Sequence, residues 1–116
     1  MTTTKKEFET FKQEFIRWQN TFGLTQYRVC FEHRFLSDAY AIIDINEPGK
    51  LATVVMCNKV TLDDKAGWKG PEIHAKHEAI HLLLHRLYWL GTTRCINCGD
   101  LEEEWESLVR RLEKVL

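Results

Sequence analysis

Residues 71–90, PEIHAKHEAIHLLLHRLYWL, decide how this chain is read. Pro71 suits the first helical position, where its missing N–H is no loss, and Glu72 suits the positive end of a helix. The stretch reads as one helix running to about Leu90 and stopping at Gly91, apolar around most of its circumference and therefore buried. Inside it stands His77-Glu78-Ala79-Ile80-His81, an H-E-x-x-H sequence. At about 100° per residue, His77 and His81 share one face, one turn apart. Two imidazoles so placed can meet one zinc ion at Zn–N distances of about 2.0–2.1 Å. Glu78 points slightly aside of both rings, where its carboxylate can take a proton from a water activated by the metal. Burying two histidines and a glutamate without partners is costly, and a metal with its water satisfies all three.

A catalytic zinc takes three protein ligands and keeps one position open. The acidic run Leu101-Glu102-Glu103-Glu104-Trp105-Glu106 is the source of the third. Glu104 lies one turn before Leu108 and borders the apolar stripe Leu108, Leu112 and Val115, which makes it the first choice, with Glu106 and Glu102 as alternatives. His74 and His85 continue the stripe of His77 and His81, and Tyr88 lies near it. All four histidines cannot reach one ion from a straight helix, so His85, Tyr88 and His74 are candidates for orienting the site or supporting an oxyanion. Cys95-Ile96-Asn97-Cys98-Gly99 is half of a zinc knuckle; Cys30 and Cys57, on separate strands, do not complete it, and plain thiols are the expectation.

Outward from this helix the chain reads as a small frame. Thr4 and Glu7 form a capping box for a helix over residues 4–22, with Phe8, Phe11, Phe15 and Trp18 on one face and Gly23 as its stop. Tyr27, Val29 and Phe31 alternate with polar partners, the pattern of a half-buried strand. Residues 39–45 (AYAIIDI) and 51–57 (LATVVMC) flank the turn Glu47-Pro48-Gly49-Lys50 and predict a hairpin. Ser37-Asp38 makes the connection before them short as well, so a three-stranded antiparallel sheet is expected. Residues 59–70 read as a polar loop, and Asp100 as the cap of a final helix. The fold class is α+β, in one domain spanning 1–116.

The 116 residues carry a formal net charge of −1, which argues against a broad electrostatic grip on nucleic acid or anionic membrane. No stretch is long and apolar enough for a membrane span, and MTTTKKEFET lacks a signal-like apolar core, so a cytoplasmic location is expected.

The order of these elements, an N-terminal helix, a three-stranded sheet, a helix carrying HEAIHLLLH and a glutamate-rich last helix, resembles the minimal zincin-like metallopeptidases. Small proteins of this sort occur in phage and prophage genomes, and the SprT-like and IrrE-like families share the architecture. The resemblance implies zinc at His77 and His81, Glu78 as general base and a glutamate ligand from the last helix, the gluzincin arrangement. It also implies an extended peptide substrate along the edge strand nearest the active-site helix, by analogy 51–57. No third histidine follows in the metzincin spacing and no Met-turn is present, which excludes that branch. The expectation is a zinc metallopeptidase; the alternative is a catalytically silent zincin-fold module that binds a protein partner.

Overall fold

The computed structural model describes residues 1–60, 67–93 and 97–115. Three helices and a three-stranded mixed sheet form an α+β fold: α1 (Lys5–Thr21), β1 (Arg28–Arg34), β2 (Ala41–Asn46), β3 (Leu51–Cys57), α2 (Pro71–Thr92) and α3 (Cys98–Val115). Helix α1 starts where the capping box places it. The Glu7 amide donates to Thr4 Oγ1 at 3.0 Å, and the Thr4 amide donates to Glu7 Oε1 at 2.9 Å. It ends before Gly23, whose φ of +70° is the left-handed conformation that a glycine adopts without a Cβ penalty. Phe11 and Phe15 are fully buried, and Phe8 and Trp18 pack against the same core.

The sheet departs from the antiparallel expectation. Its order is β1-β3-β2, with β2 antiparallel to β3 and β1 parallel to β3. Composition explains the exchange of places. The central strand of a sheet is paired along both edges and covered on both faces, which suits β3, with Ala52, Val54, Val55, Met56 and Cys57 all buried. Strand β1 alternates exposed Arg28, Cys30, Glu32 and Arg34 with half-buried residues, a pattern that suits an outer position. The hairpin survives: Asn46 pairs with Leu51 across the turn, Lys50 donates its amide to the Glu47 carbonyl, and Lys50 takes φ +52°.

Val54 and Met56 face a core built with α1 and α2, whereas Val55 and Cys57 face a smaller cluster with Leu36, Ile42 and Ala39. Helix α3 adds Leu108, with Leu112 and Val115 beside it, to the main core, as its apolar stripe predicts. Two helix ends differ from expectation. Gly91 lies within α2, whose last turn is held by Thr92 and Thr93 hydroxyls donating to the Trp89 carbonyl. At α3 it is Asn97, rather than Asp100, that caps: Asn97 Oδ1 accepts the Asp100 amide at 2.9 Å. Residues 61–66 of the polar loop, and Cys95, lie outside the described residues. Cys98 opens α3 and is exposed, as is Cys30.

The cap assignment has a direct consequence. Asn97→Ala is expected to lower stability by about 1 kcal/mol in urea unfolding with an unchanged m-value, and Asp100→Ala by only a few tenths. The reverse ranking would return the cap to Asp100.

Candidate metal centre

Helix α2 divides its circumference between two tasks. Ala75, Ala79, Leu82 and Leu83 are almost completely buried in the core, while His77 and His81 stand on the outer side. Glu78, between the two, is only 5 % exposed. The i, i+4 spacing brings His77 Nε2 and His81 Nε2 to 3.1 Å. Two nitrogens bound tetrahedrally to one zinc at about 2.05 Å stand about 3.3 Å apart, so the pair already has the separation that a shared ion requires. A carboxylate oxygen of Glu78 completes the group, with all three ligand atoms within 4.8 Å of one another. The donor set, two imidazoles and a carboxylate, matches the chemistry of a divalent transition metal. These residues thus form an H-E-x-x-H group that could hold a metal ion.

The electrostatics favour a metal as well. Burial, followed by the neighbouring His77, lowers the pKa of His81 and keeps its ring neutral, the form that ligates. Burial raises the Glu78 carboxyl to about 7. Its carboxylate has no hydrogen-bond partner among the described residues, so a nearby cation or a water is what its charge lacks.

The group lies in a groove of about 880 Å³. One wall is β2, from Ala41 to Ile45; the other is α2, with Leu84, His85, Leu87 and Tyr88 following the metal pair. The strand beside α2 is therefore β2, and residues 51–57 form the centre of the sheet, which corrects the expected edge.

The other candidate residues are dispersed. Glu104 is half-buried but accepts from Arg86 Nε at 3.2 Å and is not among the three clustered ligands. Glu102 and Glu106 are exposed on α3. His74 stacks on Trp68 at 4.8 Å and accepts the Lys69 amide at 3.2 Å; burial, then His77 and Lys69, lower its pKa. Tyr88 is exposed at the far end of the groove. His85 lines the groove, and its Nδ1 lies 3.2 Å from Glu47 Oε2.

Glu47 was read from sequence only as part of a turn. It is 2 % exposed and gathers three donors: the Tyr27 hydroxyl at 2.7 Å, Lys50 Nζ at 2.8 Å and His85. Burial pushes its pKa up, but the hydrogen bonds from Lys50, Tyr27 and His85 outweigh this and hold the carboxyl below its usual value. No local pattern announces such a residue, because two of its three partners, Tyr27 and His85, come from other segments.

Comparison with protein-family models, curated proteins and solved structures returns no match for this chain. The site therefore rests on its own geometry.

The raised Glu78 pKa ties stability to pH in the metal-free chain. Between pH 4.5 and about 7 the folded state holds a proton that the unfolded state has released, so this group's contribution is intact below 4.5 and lost as pH rises through 7. Glu78→Gln carries no such titration. Its stability advantage over the native chain is expected to grow by about 2–3 kcal/mol from pH 4.5 to 8 in chelator-treated samples. A constant difference across that range would contradict the assignment.

Proposed function

We propose that the chain is a zinc-dependent metallopeptidase of the minimal zincin type, acting on an extended peptide laid along β2. The observation that carries this reading is the pair of Nε2 atoms 3.1 Å apart beside a buried carboxyl, in a groove walled by an outer strand. His77 and His81 would hold a zinc ion, which would supply Lewis acidity to a water and to the substrate carbonyl. Glu78 takes the proton from the attacking water on its carboxylate and passes it to the departing amine. A carboxyl whose pKa lies near 7 is suited to both transfers at neutral pH. The outer edge of β2 offers backbone groups to a peptide strand, and Ala41, Ile43, Leu84 and Leu87 give its side chains an apolar floor. A purely structural zinc has no use for a base beside an open position, which favours hydrolysis.

A second reading has one observation of its own. Glu104 is engaged by Arg86 rather than gathered with the histidines. A chain that keeps the fold and binds a protein partner in the groove has no need of a third protein ligand.

Metal analysis and one variant separate the two. The native chain is expected to carry about one zinc per chain and His77→Ala none. Glu78→Gln should keep its zinc and lose hydrolysis of unstructured peptide substrates by at least about a hundredfold, the contribution of a general base. Zinc retained in both forms, with no peptide cleaved by either, would leave the binding module as the function.

A further inference from the structure

The groove contains a third imidazole, beyond His77 and His81. His85 lies one helical turn beyond His81, and its side chain is 21 % exposed. Its anchor, Glu47, sits in the turn after β2, so the contact joins the two walls of the groove. Glu47 itself is immobilised: the Tyr27 hydroxyl reaches both carboxylate oxygens at 2.7 Å, and Lys50 Nζ holds Oε1 at 2.8 Å. An ionised carboxylate only accepts hydrogen bonds, so at the 3.2 Å contact His85 Nδ1 must be the donor. The neutral ring then carries its lone pair on Nε2. That atom has no hydrogen-bond partner among the described residues, on a ring that lines the groove between the metal pair and the apolar end formed by Leu84, Leu87 and Tyr88.

We infer that Glu47 is a positioning residue, fixing His85 so that its Nε2 is a hydrogen-bond acceptor for an amide N–H of the bound peptide. The identity of the guest rests on the peptidase reading; the fixed tautomer does not. A histidine free on the surface would sample both tautomers and several rotamers, and ordering it on binding would cost affinity. Here the folded chain has already done the ordering.

Imidazole ¹⁵N NMR of the full zinc-loaded chain tests the anchor without any substrate. The native His85 is expected to be protonated on Nδ1 in its neutral form. In E47Q, the amide oxygen serves Lys50 and Tyr27, its NH₂ faces His85, and the proton moves to Nε2. Glu47→Asp, which keeps the charge, retains the Nδ1 tautomer. A native ring protonated on Nε2, or an E47Q ring indistinguishable from native, overturns the inference, and the native measurement decides even where a variant fails to fold. Cleavage of a quenched fluorescent peptide library tests the role. E47Q and His85→Phe are each expected to raise KM roughly five- to tenfold with zinc content unchanged, and the double variant to be no worse than either alone. Additive effects, or a loss confined to kcat, overturn it. If the native chain cleaves no peptide, the peptidase reading falls while the tautomer still decides the role of Glu47.

Discussion

Everything in this molecule depends on how closely α1 can approach α2. Ala75 and Ala79 are fully buried in the core that also holds Phe11 and Phe15, and their small side chains make room for those rings. Because one side of α2 is committed to this contact, the residues between and beyond the alanines are fixed in direction. His77 and His81 have to face outward, and Glu78, adjacent to Ala79 in sequence, has to lie at the border of core and groove. Close packing thus does double duty. It stabilises the fold and sets the rotation of the helix that carries the metal pair.

A border position explains the chemistry of Glu78 better than proximity alone. A carboxyl in open water would be fully ionised and a poor reservoir for a proton near neutral pH. Drawn into the edge of the core, it is protonated far more readily, and a bound cation would restore its charge. Glu47 has an environment of the opposite kind. It is equally buried but surrounded by donors, so it remains an acceptor. Two buried glutamates have thus been driven apart in character by what surrounds them.

The parts of this arrangement that arise within one element were legible in the sequence. The capping box at Thr4 and Glu7, the Phe11–Phe15 face, the β2–β3 hairpin and the H-E-x-x-H pair all depend on residues a few positions apart, and all are present. What was missed depends on distant partners. The parallel pairing of β1 with β3 follows from competition among three strands for the central place, which no strand reveals alone. Glu104 was chosen from the apolar stripe of α3 alone, and its partner Arg86 on α2 is not readable there. Glu47 looked like turn chemistry because Tyr27, Lys50 and His85 converge on it only after folding.

The placement of β2 has a further consequence. The outer edge of β2 is open to the same edge of another copy, and such edges are where sheet proteins begin to aggregate. Strand β2 has only six residues, and Asp44, near its middle, is exposed. Two such strands meeting edge to edge would bring their Asp44 carboxylates close together and repel one another. One acidic side chain can thus discourage self-assembly without closing the edge.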